Sequence, residues 1–307
     1  MKTLYLHVGY PKTATTTFQK HLFPAHPQID YLGKFCPSYG YRSDALATEI
    51  NRLISADDVD YDAGATLKTI IDPLRRQSKA DRTLLLSSES FIHPWANNRG
   101  IIARRIKDAL QPCRILITIR EQIDIIRSFY NLHGRFGQYL FLCKDREPLE
   151  FPLPFDRWLH YCLQEFDRNF LATIQYHQVI SFYASVFGHE NVCVLLFEQF
   201  VQDKPGYVED LCRFLQIDDF DTALTLLGDS HELRSAPLVQ SPPQPPATPL
   251  TAFARRLPST FQRKPAEHTP AVIDDGARSQ LAELYRLGNR TLMRDFQVPL
   301  DQFGYLI

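Results

Sequence analysis

One stretch near the N-terminus, Leu4 to Phe23 (LYLHVGYPKTATTTFQKHLF), limits what this chain can fold into more than any other. It opens with a short apolar run, Leu4 to Val8, of the length and composition of a buried strand. Gly9, Tyr10 and Pro11 then break the strand, because glycine accepts unusual φ angles and proline cannot continue a ladder. From Ala14 the pattern turns helical, with Phe18, Leu22 and Phe23 on one side. A strand, a tight loop and a helix N-terminus make a site for an anion. The free N–H groups of the first helical turn point at the loop, and the helix dipole favours negative charge there. Lys12 adds a full positive charge, and Thr13, Thr15, Thr16 and Thr17 add hydroxyl donors. The spacing predicts a phosphate or sulfate cradle; a threonine-rich helix cap beside a solvated lysine is the plainer alternative.

A Walker loop requires glycine directly before the lysine, in G-x-x-x-x-G-K-[ST]. Here Lys12 follows Pro11, three residues after Gly9, and there is no second glycine. The form G-x-P-K-T-x-T-T resembles the 5′-phosphosulfate loop of sulfotransferases that use 3′-phosphoadenosine-5′-phosphosulfate (PAPS). The resemblance assigns Pro11, Lys12, Thr13, Ala14, Thr15, Thr16 and Thr17 to that loop. Ala14 stands where the family more often has glycine, a departure that is tolerable if φ is negative there.

Two later stretches bear on chemistry. Leu84, Leu85 and Leu86 form a continuous apolar run, as expected of a central parallel strand, and Ser87, Ser88 and Glu89 follow it. Ligands of open parallel sheets sit beyond the carboxyl ends of the strands, so Glu89 could accept a proton from an acceptor hydroxyl or amine. A helix N-terminal glutamate supported by serine caps is equally compatible with the spacing. The L-S-S-E run resembles bacterial sulfotransferases of the carbohydrate-type branch, which implies a general base; His93 is the competing candidate. Ile115 to Ile119 is another buried strand, with Arg120 at its end and a helix from about Gln122. Ser128 lies two helical turns beyond Arg120. A guanidinium fork and a hydroxyl suit phosphate oxygens, although Arg120 could equally cap the strand and Ser128 be an ordinary helix-face serine. Strand–Arg–x7–Ser resembles the 3′-phosphate element of the same family, in register.

The bulk properties set outer limits. The 307 residues can make one large α/β domain or two smaller ones, and a hydrophobic content of 44% is ample for a core. A formal net charge of −1 leaves no footprint for nucleic acid, so any anion site is local. The six cysteines lack C-x-x-C spacing and point to neither a zinc site nor a disulfide framework. The first strand begins by about Thr3, leaving no room for a signal peptide, and no apolar run approaches a membrane span; a cytoplasmic protein is expected.

Elsewhere, Ile29 to Gly33 reads as a short strand, followed by an aromatic loop through Tyr39 and Tyr41. Ala45 to Ile54 and Ala65 to Arg76 have helical spacing, Phe155 to Phe187 holds two helical patterns broken near Asp167, and Asn191 to Phe197 is a further strand ending at Glu198. A helix follows from about Pro205 to Leu215. Residues 229–272 contain nine prolines and read as extended chain or a long loop over a site. Arg255, Arg256, Arg263 and Lys264 there are unassigned basic candidates. Gly276 to Phe296 is amphipathic, and its Tyr285-to-Asn289 run and late Tyr305 resemble the family's C-terminal end.

Alternating buried strands and helices predict one doubly wound parallel sheet with helices on both faces, in a single domain over 1–307. The resemblance implies the P-loop-like sulfotransferase fold, PAPS as donor, 3′,5′-ADP as product and no metal. It also implies catalysis by Lys12 and Glu89, donor contacts from residues 11–17, Arg120 and Ser128, and a saccharide, glycolipid or small-molecule acceptor. An atypical P-loop kinase using ATP and Mg²⁺, or a non-catalytic nucleotide binder of the same fold, are the rivals. Oligomeric state leaves no trace in the sequence.

Overall fold

The computed structural model describes residues 1–34, 41–62, 65–92, 99–136, 151–228 and 271–307. Tyr39, His93, nearly all of the proline-rich segment and its four basic candidates lie outside the described residues.

The apolar runs form one five-stranded, all-parallel sheet. Its strands are β1 (Leu4–Gly9), β2 (Ile29–Tyr31), β3 (Thr83–Ser87), β4 (Cys113–Ile119) and β5 (Val192–Leu196), in the spatial order β2-β3-β1-β4-β5. From β1 the chain runs outward to β2, returns to β3, then crosses to β4 on the opposite side of β1. The carboxyl end of β1 therefore sits where the strand order switches direction, the usual ligand position in such sheets.

Each strand alternates between two cores, because successive side chains point to opposite faces. Leu4, Leu6 and Val8 join Leu84, Leu86, Ile115, Ile117 and Ile119 in the larger one. Helices α2 (Asp44–Ser55), α3 (Ala65–Gln77), α4 (Arg99–Leu110), α5 (Gln122–Leu132), α6 (Phe155–Gln164), α7 (Phe170–Thr173) and α8 (Tyr176–Phe187) cover it. Tyr5, Leu85, Leu116 and Leu195 point the other way, into a core shared with Phe18, Leu22 and Phe23. That face is closed by α10 (Lys204–Leu215) and α11 (Phe220–Leu227). Helices on both faces account for strands that carry apolar side chains on both sides.

The first helix is shorter and less regular than its sequence pattern implies. Ala14 is its N-cap, a single α turn, α1, spans Thr15–Thr17, and a π turn spans Phe18–Leu22. The Phe23 N–H reaches back to the Phe18 carbonyl at 2.8 Å, and the apolar residues still face the core. Glu198 follows β5 not in a loop but inside a short helix, α9 (Phe197–Gln202).

The C-terminal helix α12 (Asp275–Phe296) ties the tail to the carboxyl end of β4. The Asn289 side chain pairs with that of Gln122 at 2.8 Å and donates to the Leu306 carbonyl at 2.7 Å. The Glu198 carboxylate accepts from the Glu121 amide and from the Tyr305 hydroxyl, each at 2.9 Å. Glu198 is thus the strut beneath Arg120 and Glu121, and its partners come from residues 77 and 107 positions away. Burial pushes its carboxyl up, against the downward pull of these donors. Tyr305→Phe leaves that buried carboxylate one donor short and is expected to cost about 1–3 kcal/mol. A urea titration should show an earlier midpoint at unchanged slope, with a smaller loss at pH 5, where the carboxyl is more readily protonated.

Candidate active site

The loop between β1 and α1 is built from left-handed backbone. Gly9 has φ +93°, Lys12 φ +69° and Ala14 φ +63°. The sequence reading tolerated Ala14 on condition of a negative φ, and the structure overturns that condition. An L-residue there costs roughly 1–2 kcal/mol, because Cβ crowds the following carbonyl. The alternating turns leave the amides of Lys12, Thr13, Ala14, Thr15 and Thr16 without an acceptor among the described residues. Successive unpaired N–H groups in such a turn form a concavity suited to one tetrahedral anion.

The charges around this concavity are positive and poorly compensated. The Lys12 ammonium makes no hydrogen bond or ion pair among the described residues, and its pKa is lowered by burial and then by the nearby Arg120 charge. Arg120 donates to the Lys12 carbonyl at 3.3 Å and lies over the Phe197 ring, 4.5 Å from its centroid. Its Nε is buried and has no partner among the described residues. Its ionic contact is the half-exposed Asp124 at 3.7 Å, which Arg127 shares at 3.6 Å, so the compensation is weak. Ser128 sits on α5, partly exposed, and its hydroxyl is unengaged among the described residues. The structure thus joins Lys12 directly to Arg120 and leaves Ser128 two turns farther along α5.

The four threonines do not act alike. Thr13 is buried and its hydroxyl donates to the Tyr10 carbonyl at 2.6 Å. Thr15 donates to Glu89 at 2.5 Å. Both hydroxyls are therefore committed inside the protein, contrary to the expectation that all four face an anion. Thr16 is exposed and Thr17 partly so, without partners among the described residues.

Glu89 opens a 3-10 turn, Glu89–Phe91, capped by the Ser88 side chain on the Ser90 amide. Both sequence readings of this residue meet here, since it is capped as a helix start and still faces the loop. A Cβ on Gly9 would lie 3.1 Å from the Glu89 Cγ, which is why that position needs glycine twice over, for φ and for space. Lys34 pairs with the other carboxylate oxygen at 2.9 Å. The contact depends on Gly33, where an added Cβ would come within 2.6 Å of the Ser87 amide. Burial raises the Glu89 carboxyl, but the Lys34 charge and the Thr15 hydrogen bond outweigh it and hold the group at about 2. Glu89 is a firmly ionised carboxylate. Lys34 was invisible to sequence reasoning because 55 residues separate the partners.

Among the described residues, no group of three His, Cys, Asp or Glu side chains is arranged to hold a metal, and no helix is long and apolar enough to cross a membrane.

Two expectations follow. Ala14→Gly removes the left-handed penalty but adds glycine's entropy in the unfolded chain, about 0.5–1 kcal/mol. The net is a gain of roughly 0.5–1 kcal/mol, readable by urea unfolding. Lys34→Met should move the Glu89 carboxyl up from about 2 towards the ordinary value of roughly 4.3, measured by carbon-13 NMR titration. In the native chain Glu89 is depressed, so its stabilisation is complete above the unfolded carboxyl pKa and is lost as pH falls through its folded value. The variant narrows that acid window.

No family model matches the chain, and no curated protein does. Among solved structures, a sulfotransferase from Alicyclobacillus acidocaldarius is similar over 99% of both chains, with TM-score 0.55 and 17% identity. The sulfotransferase domain of the curacin biosynthetic pathway aligns over 73% of this chain and 77% of its own, at 14% identity and TM-score 0.40. The sulfotransferase domain of the Synechococcus PCC 7002 olefin synthase aligns over 84% and 96%, at 16% identity and TM-score 0.44. At such identities the likeness establishes architecture, and the first of the three carries it: this chain has the five-stranded parallel α/β fold seen in a sulfotransferase.

Proposed function

We propose that the protein transfers a sulfuryl group from PAPS to a hydroxyl or amine of a saccharide, glycolipid or small-molecule acceptor. The observation that carries the reading is the run of five amides, Lys12 to Thr16, that have no acceptor among the described residues, beside a lysine unpaired among them. PAPS fits that cradle: bound there it supplies an activated sulfuryl group on a 5′-phosphate and a 3′-phosphate as a second handle. The loop amides and Lys12 hold the 5′-phosphate, and Lys12 stabilises the charge that grows on the bridging oxygen as the S–O bond breaks. Arg120 and Ser128 hold the 3′-phosphate, the Arg120 side chain remaining partly exposed at 20%. As in phosphoryl transfer, positioning and charge stabilisation dominate.

Glu89 takes the proton of the acceptor as the new bond to sulfur forms. A carboxylate at about 2 is a weak base at neutral pH, so an acceptor that displaces Lys34 or Thr15 from Glu89 raises its basicity at the moment of use. The same grip favours one rival, a nucleotide-binding protein in which Glu89 is only a strut for the loop. A kinase using ATP and Mg²⁺ has less support, since the loop lacks the Gly-Lys-Ser/Thr order.

Calorimetric titration with 3′,5′-ADP, 5′-AMP and ATP·Mg²⁺ tests the donor. Binding should require the 3′-phosphate and weaken in Arg120→Ala; preference for ATP·Mg²⁺, or indifference to the 3′-phosphate, sinks the proposal. Lys12→Ala should lower kcat about 10²–10³-fold. Glu89→Gln should abolish turnover while 3′,5′-ADP still binds; a wild-type protein that binds 3′,5′-ADP yet shows no turnover across an acceptor panel is the binder.

A further inference from the structure

A row of buried polar groups crosses the sheet directly beneath the loop. His7 on β1, Ser87 on β3 and Thr118 on β4 are all at most 1% exposed, each near the carboxyl end of its strand. His7 Nδ1 lies 2.8 Å from the Ser87 hydroxyl and Nε2 lies 3.4 Å from the Thr118 hydroxyl. Thr118 Oγ1 is 2.6 Å from Thr13 Oγ1, and the Gln19 side-chain amide donates to Ser87 at 2.9 Å. The rings of Phe18 and Phe23 pack edge-on against the imidazole, with centroids 6.0 and 5.5 Å away.

The proton positions in this row follow from donor counting. The Tyr10 carbonyl has no proton, so Thr13 must donate to it, at 2.6 Å. A hydroxyl has one proton, so Thr118 donates to Thr13. Thr118 then has nothing left for His7, and the ring donates from Nε2. A neutral ring carries one N–H, so Nδ1 accepts from Ser87, which in turn accepts from Gln19. Every proton in the chain from Gln19 to Tyr10 runs in one direction. Burial lowers the imidazole pKa to about 4 against the upward pull of Glu89, the charged group acting on it, so the ring stays neutral at physiological pH.

We infer that His7 is a positioning residue for the anion loop, held as its Nε2–H tautomer in a one-way relay through Thr118 that pins Thr13. The inference rests on the donor-binding role proposed above. Thr13 stands between the two left-handed residues, Lys12 and Ala14, and its hydroxyl is fixed at one end to the start of the loop and at the other to β4. Conformations this sparsely populated persist only where the surroundings over-determine them. With Thr13 released, Lys12 and Ala14 relax to negative φ and the five amides no longer converge.

The test has two arms. In nitrogen-15 histidine NMR of the full chain, His7 should show the Nε2–H tautomer and no titration between about pH 5.5 and 8.5, whether or not nucleotide binds. Thr118→Val, close in shape but without the hydroxyl, should mix the two tautomers. In the binding arm, Thr118→Val should weaken 3′,5′-ADP about 10–100-fold, and Thr118→Ser should restore it. An Nδ1–H tautomer overturns the relay, as does a Thr118→Val protein that melts earlier yet binds with native affinity, or a Thr118→Ser protein as weak as Thr118→Val. If Thr118→Val does not fold, the wild-type tautomer and Thr118→Ser binding still decide. A wild-type chain that ignores 3′,5′-ADP defeats the donor assignment alone, and the NMR arm then decides the relay.

Discussion

Five adjacent amides without acceptors among the described residues would be a standing cost in a folded protein, and much of this structure is arranged around them. Buried backbone N–H groups are almost always paired. Here they fall in a turn with left-handed residues at Lys12 and Ala14. Successive N–H groups in such a turn present partial positive charge to water or an anion. Its neighbours reinforce the sign of that field, since Lys12 has no counter-ion among the described residues and Arg120 has only a half-exposed one. The local destabilisation is tolerable because the sheet beneath is covered by helices on both faces and the loop is tied to β4 and to the end of β3 as well as to β1.

Those ties explain why polar residues interrupt otherwise apolar strands. His7, Ser87 and Thr118 sit on the same face as Tyr5, Leu85 and Leu116 and occupy positions where a simple core would have an aliphatic residue. They cost desolvation and repay it only as a closed hydrogen-bonded row. Glu89 and Glu198 play related parts on either side. The first joins Thr15 to Lys34 across the end of β3, and the second joins the C-terminal tail to the start of α5. Glu198 is buried and Glu89 is partly so, and the two differ in kind. Glu89 is paired directly with a cation and stays ionised at about 2, whereas burial pushes Glu198 up against the weaker pull of its two neutral donors and of the Arg120 charge. Glu121, which caps α5 through the Asp124 amide, is raised to about 7 by burial. Its folded value lies above the ordinary carboxylate range, so its ionisation erodes stability as pH rises through that value.

Periodicity alone placed the strands and most helices, to within one or two residues. Ile29–Tyr31, Thr83–Ser87 and Cys113–Ile119 are the apolar runs seen in the chain, and α2, α3, α5 and α12 follow their amphipathic spacing. The loop was legible too, because glycine, proline and lysine between a strand and a helix leave few alternatives. Ala14 was read less well. Its φ depends on how the loop closes on β4, and alanine gives no local sign of a left-handed backbone. Thr13 and Thr15 were misread for the same reason, since a hydroxyl's partner is set by what the fold brings near.

What the sequence determined by itself was the chain of local choices: apolar runs long enough for buried strands, helical faces between them, and a basic, hydroxyl-rich turn after the first strand. Those follow from short-range sterics and from burial of apolar surface, which act over a few residues at a time. Strand order, the Lys34–Glu89 pair, the tail held by Glu198 and the row through His7 were decided only by tertiary structure. Each joins groups separated by 54 to 111 positions, and hydrogen bonds and charges at that separation depend on which strands become neighbours, which no local pattern encodes.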